Sequence, residues 1–253
     1  MIFFLRALPV LCAAWIIGFF RLAIGSPNTF WYYAGAGVLG ALAALWLLTR
    51  RAVFLQGRWS ILAFPALTLL AVVGTLLFSE RASLQWVLLG CIGVLFALYA
   101  EQVFRFTHAP ARYQPNALVN LGFVFAILSM FFSSLTIFDL QLFANAPLWL
   151  AIVIFVVVMV FWSTIVFRFL DVPSAIRWPW GIALNTIAIE FFALLAWLPA
   201  LPFVKAAIVA LLLTGMLQRL RDDVLGTARS SRWATVVLAI MLLCVVVTAR
   251  WFA

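Results

Sequence analysis

Residues 147–168 read PLWLAIVIFVVVMVFWSTIVFR, and the first charge in the run is Arg168 at its end. A helix rises about 1.5 Å per residue and the hydrocarbon core of a bilayer is about 30 Å thick, so a run of this length crosses it once. The apolar residues are continuous rather than alternating, which excludes the two-residue pattern of a membrane β-barrel strand. Unsatisfied backbone groups are costly in lipid, so the run is predicted to be a transmembrane helix.

Working outward, similar apolar runs recur along the chain. The predicted spans are 7–24, 30–48, 60–78, 84–103, 117–137, 147–168, 180–198, 203–218 and 233–251. They leave only short connections. The predicted fold is an all-α polytopic transmembrane helix bundle of about nine spans, forming a single transmembrane domain over residues 1–253. The first run continues past signal-peptide length without a clean cleavage site, so it is read as a retained span.

Composition agrees. Hydrophobic residues make up 68% of the 253 residues and charged residues 9%, with a mean hydropathy of +1.23. Soluble domains carry about 45–50% apolar and about 25% charged residues. A soluble fold of this size could not cover so much apolar surface with polar groups. A soluble enzyme on a membrane anchor is thereby excluded.

Basic residues fix the expected orientation. Counting connections alternately from the N-terminus, one side receives Arg6, Arg50, Arg51, Arg58, Arg105, Arg112, Arg168, Arg177, Arg219, Arg221, Arg229 and Arg232. The other receives Arg21, Arg81, Lys205 and Arg250. The positive-inside rule then puts the N-terminus in the cytoplasm and the C-terminus on the far side of a cytoplasmic-type membrane, such as a bacterial inner membrane. The net charge of +9 follows from these loops. No basic cluster is large enough to follow a nucleic-acid backbone, so nucleic acid is not expected as a partner. The expected partners are the bilayer itself, anionic lipid head groups at the arginine-rich cytoplasmic loops, and a membrane protein. Most tryptophans, among them Trp31, Trp46, Trp86, Trp149, Trp178 and Trp197, fall near span ends, where the interface favours them. Trp15 and Trp162 lie deeper and are expected to pack between helices.

Glu190 is the most informative polar residue. It lies within span seven in Ile187-Ala188-Ile189-Glu190-Phe191-Phe192. A carboxylate at bilayer depth costs several kcal/mol unless it is protonated, paired or wet. Thr186 lies one turn earlier on the same helix face, and Asn185 beside it is placed to bond across helices. Two roles fit: a proton or cation site, or a hydrogen-bonded pin between helices.

A second polar cluster falls at the cytoplasmic ends of spans four and five. It comprises Tyr99, Glu101, Gln102, Arg105, His108, Arg112, Tyr113, Asn116 and Asn120. Glu101 and Arg105 have the spacing of a helical ion pair. A cytoplasmic vestibule, a head-group site or an interfacial cap on two helix ends would each use such residues. Elsewhere, Glu80-Arg81 is expected to be a short-turn ion pair and Asp139 a residue of a far-side loop. Small residues Ala36, Gly40 and Ala44 share a face of span two, and Gly93 and Ala97 one of span four, which suits close helix packing.

Several chemistries lack their residues. Cys12, Cys91 and Cys244 are far apart, there is one histidine, and no CxxC, HExxH, P-loop, GxSxG or haem-type His pair occurs. No metal or cofactor is expected.

The segment from Leu98-Tyr99-Ala100-Glu101 through Asn116 to Asp139, with Glu190-Phe191-Phe192 followed by Trp197-Leu198-Pro199, resembles uncharacterised multi-spanning membrane proteins of candidate-phyla bacteria. In that pattern an aromatic-rich fourth helix ends in an acid near a basic loop. A later helix carries a glutamate shortly before a Trp-Pro type turn. Glu101, Arg112, Glu190 and Pro199 fill those places, while Gln102 stands where the pattern has asparagine. The resemblance covers the second half of the chain and implies no activity. The functional expectations are a small transporter or permease using Glu190, a structural or assembly subunit binding partner membrane proteins, or a membrane enzyme on lipid-linked substrates at the cytoplasmic cluster.

Overall fold

The computed structural model describes residues 2–56, 59–114 and 117–225. Eight helices among them are long and apolar enough to cross a membrane. They are α1 (Ile2–Gly25), α2 (Phe30–Gln56), α3 (Ser60–Phe78), α4 (Ala82–His108), α5 (Ala117–Phe143), α6 (Leu148–Phe169), α7 (Ser174–Trp197) and α8 (Pro202–Leu225). Each has 19 to 27 residues, enough for one crossing. No strand occurs among the described residues. The expected ninth span, 233–251, lies outside them.

Helix ends differ from the hydropathy boundaries where polar residues continue a helix beyond its apolar run. α4 runs on to His108, so the Glu101–His108 stretch is helical. α7 begins at Ser174, and α8 continues through Arg219 and Arg221 as far as Leu225. α5 extends to Phe143, which corrects the expectation for Asp139: it lies in the last turns of a helix, half-buried, and not in a loop. Tight connections use special backbone at Asn145 (φ 52°) and Asp171 (φ 48°), residue types that tolerate the left-handed region.

The chain divides into two compact units, Met1–Phe125 and Ala126–Ala253, with the boundary inside α5. In the first unit α1 packs on α2 and α4, and α2 also meets α3. Lipid tails are as apolar as leucine, so these contacts rest on close packing and hydrogen bonds rather than on a hydrophobic drive. Glycine supplies the closeness. A Cβ at Gly37 would lie 2.7 Å from Phe20, and one at Gly93 2.7 Å from Ile17; at Gly40 it would overlap the Trp15 indole. The small-residue faces of spans two and four are thus filled from within the chain, by α1.

Hydrogen bonds hold the same helices. Trp15 Nε1 donates to Ala36 O at 3.1 Å, so this exposed indole is anchored on α2 along one side only. Tyr99 OH donates to Ile61 O at 2.7 Å from a fully buried position, and Thr68 Oγ1 donates to Phe125 O at 3.1 Å. The Phe125 ring meets Phe96 and Tyr99 edge-on. Arg21 lies over the Trp86 ring at 5.0 Å, which gives its charge a partner near the end of α1. The expected Glu80–Arg81 ion pair is absent. Both side chains are exposed, and the turn is closed instead by Gln85 Nε2 donating to Ser79 O at 2.6 Å.

In the second unit α7 packs between α6 and α8. Phe192 of α7 stacks on Phe138 of α5 at 4.6 Å and on Phe155 of α6 at 4.1 Å, a three-ring column joining three helices. Trp162, 1% exposed, donates its Nε1 to Ala126 O at 2.9 Å and links α6 to α5. Lys205, in the first turn of α8, rests 5.5 Å above the Phe138 ring and donates to Ala196 O at 3.4 Å.

Candidate partner-binding face

α7 has two dissimilar sides. Leu184, Ala188, Phe192 and Leu195 are buried and form its inner face. Asn185 flanks that face, half-buried. Its Nδ2 donates to Ser163 Oγ at 3.1 Å and to Gly181 O at 2.7 Å, while Ser163 Oγ donates to Val160 O at 3.0 Å. The cross-helix role expected of Asn185 is therefore filled by α6.

Glu190 lies on the other side. At 100° per residue it points about 150° away from the centre of the inner face. It is exposed, as are Ala183, Thr186, Ile187, Leu194 and Trp197 along the same stripe. Among the described residues neither Glu190 nor Thr186 has a side-chain hydrogen bond or ion pair. Trp197 ends the helix, and Glu190 lies seven residues before it. The carboxyl therefore sits about 10 Å inside the level of Trp197. Helical side chains tilt toward the N-terminus, which turns this one further from the nearer end. Two methylenes cannot carry it to the interface. Only 22% of the α7 span is buried, against 33% to 56% for the other seven spans.

The outer face of α6 provides the contrast. Val153, Val157, Val160 and Phe161 are exposed there, and the exposed Thr164 satisfies its hydroxyl by donating to Val160 O at 2.8 Å. Such a surface needs nothing but lipid. The α7 stripe differs by the Glu190 carboxyl and the Thr186 hydroxyl, neither of which has a partner among the described residues.

The polar cluster on α4 resolves into local contacts. Arg105 Nε donates to Glu101 Oε1 at 2.9 Å, with both side chains one-third or more exposed. Thr107 Oγ1 and His108 Nδ1 are 2.6 Å apart, and the His108 ring stacks on Phe104. Tyr99 turns into the core, whereas Gln102 has a buried Oε1 with no partner among the described residues. Tyr113 OH accepts from Leu118 N at 3.2 Å and caps the start of α5, on which Asn120 is exposed. Arg112 lies in the short 3-10 turn Pro110–Arg112; its side chain, and all of Asn116, lie outside the described residues. The structure thus brings Glu101 to Arg105 and Thr107 to His108, and sends Tyr99 and Asn120 elsewhere. No group of three His, Cys, Asp or Glu converges as a metal site among the described residues.

Sequence reasoning missed the ring column on Phe192 and the seat of Lys205 on Phe138. The Phe191-Phe192 pair was the only local signal for the first. The partners of Lys205 lie up to 67 positions away in sequence and left no local trace.

These helices define a multi-pass α-helical membrane protein. Comparison with known protein families, curated proteins and solved structures finds no match to this chain.

Proposed function

We propose that this protein is an assembly subunit of a membrane complex, resident in a cytoplasmic-type membrane, and that the outer face of α7 docks a membrane helix. The observation that carries this proposal is Glu190: a carboxyl seven residues inside the end of a helix long and apolar enough to cross a membrane, exposed, with no partner among the described residues. Leaving such a group against lipid costs several kcal/mol, so a neighbouring helix that satisfies it has a large incentive to bind. The 12 to 4 division of basic residues supports nine spans, a cytoplasmic N-terminus and a far-side C-terminus. In that orientation the arginine-rich loops meet anionic head groups of the inner leaflet.

Transport through a pathway at Glu190 has less support. It needs a second polar group facing the carboxyl across a cavity, and Asn185, the nearest amide on α7, is already bonded to Ser163 and Gly181. An enzyme site on α4 is supported less still, because the Glu101 to His108 contacts are explained by one helix end.

The test places a photocrosslinking residue at Thr186, Ile187, Glu190 or Leu194 of the full-length protein in membranes, with Val153 and Val157 as controls. Docking predicts a discrete protein adduct from the α7 positions alone. Lipid adducts from every position would sink the proposal. In parallel, a Glu190→Cys variant without Cys12, Cys91 and Cys244 is labelled from each side; labelling that depends on side would favour transport instead.

A further inference from the structure

Resting on the assembly role proposed above, we infer that the helix docked on this face is α7 of a second copy, and that the two Glu190 carboxyls meet across a two-fold axis along the membrane normal.

The exposed residues Ala183, Ile187, Glu190, Leu194 and Trp197 are spaced four, three, four and three apart. That spacing averages 3.5 residues and keeps one seam facing a helix that runs in the same direction with a left-handed crossing. The small Ala183 lets the backbones approach at one end of the seam, while a polar residue at a single position within it sets register and partner number.

Direction and depth follow from symmetry. Copies of a membrane protein insert with one orientation, so a closed pair of them has its axis along the membrane normal. Both α7 helices then run the same way, and each residue near the axis meets its own equivalent at equal depth. A foreign helix must carry a suitable polar group about 10 Å below its own interface to satisfy Glu190, whereas a second copy does so without coincidence.

Chemistry agrees with symmetry. A carboxyl group that keeps its proton is both donor and acceptor, and two of them close a pair of hydrogen bonds. Two carboxyls that share one proton hold a single short one. The Thr186 hydroxyl, one turn away on the same side and also without a hydrogen bond among the described residues, lies where it can bond the facing carboxyl. No cation is bonded to Glu190 among the described residues, and no Lys or Arg occurs on α7 beyond Arg177, thirteen positions away.

The experiment uses full-length protein in lipid vesicles, with two fluorescently distinguished populations of copies and energy transfer as the measure of pairing. The unsubstituted protein is expected to pair. Glu190→Gln keeps a donor and an acceptor and should pair nearly as well, whereas Glu190→Leu should pair about five- to thirty-fold more weakly. Glu190→Lys should not pair with itself but should pair with the unsubstituted chain, a rescue that general misfolding cannot produce. Single cysteines at Ala183, Ile187 and Leu194, in a background without Cys12, Cys91 and Cys244, should form copy-to-copy disulfides, and one at Val157 should not.

Pairing that is unchanged in the Glu190→Leu and Glu190→Lys proteins overturns the inference, as does absence of pairing in the unsubstituted protein. If α7 positions then crosslink to a protein of different mass, the assembly role stands and only the second copy falls. A crosslink within one chain to residues 226–253 likewise removes the second copy. Lipid adducts alone remove both.

Discussion

The amide of Asn185 lies 3.1 Å from the hydroxyl of Ser163 and joins α7 to α6 through a polar contact between helices of the second unit. Five residues further along the same helix, Glu190 has turned to the opposite side and has no such contact among the described residues. Helical geometry alone separates the two: one polar side chain joins α7 to α6 and the other is exposed on the far side of the helix.

Asn185→Leu should therefore lower the stability of the protein. Hydrogen bonds between membrane helices are worth about 0.6 kcal/mol on average and up to about 1.7. Ser163→Ala should cost a similar amount, and the double variant less than the sum, because both remove one contact. Reversible unfolding in mixed micelles measures this. Full additivity would show the pair to be uncoupled.

Trp162→Phe keeps one aromatic ring and loses the pyrrole ring with its Nε1 bond to Ala126 O. A loss of about 1 kcal/mol is expected, and Trp162→Ala should cost about 3–5 kcal/mol, since the indole is among the largest fully buried side chains. Thermal denaturation in detergent reads both. A Trp162→Phe protein as stable as the unsubstituted one would contradict the assigned bond.

Glycines should divide by contact. Gly40→Ala drives a methyl into Trp15, and Gly93→Ala one into Ile17. Each should destabilise by about 1–3 kcal/mol, the usual range for overpacking. At Gly90 an added Cβ meets nothing within 4 Å, so Gly90→Ala should be neutral or slightly stabilising. The order of melting temperatures checks this, and a Gly90→Ala protein as unstable as the Gly40→Ala protein would overturn the assignment of α1 packing.

Glu101→Ala should change stability by less than about 1 kcal/mol, because its partner Arg105 is exposed enough for solvent to screen the pair. A larger loss, measured in the same micelles, would mean that the α4 end does more than cap a helix.

Some residues carried their structural meaning in the sequence. Glu101 and Arg105 are four apart on one helix, and their contact follows from the helical repeat. The run 147–168 could only be a membrane helix. Ala36, Gly40 and Gly93 announced close packing by size, although the aromatic and aliphatic groups of α1 that fill those faces could not be named. Asp139 was misplaced because hydropathy marks where lipid ends, whereas a helix ends where its backbone bonding ends, here at Phe143.

The sequence by itself determined that the chain crosses a membrane as a bundle of helices, because apolar run length and backbone hydrogen bonding in lipid leave no other solution. It also singled out Glu190 as costly. Only the tertiary structure decided which way that carboxyl points. Periodicity places residues around a helix axis, but the side of the axis that faces neighbours depends on packing with helices distant in sequence. Here the Phe138–Phe192–Phe155 column and the Asn185–Ser163 bond turn α7 so that Glu190 is left on the outside.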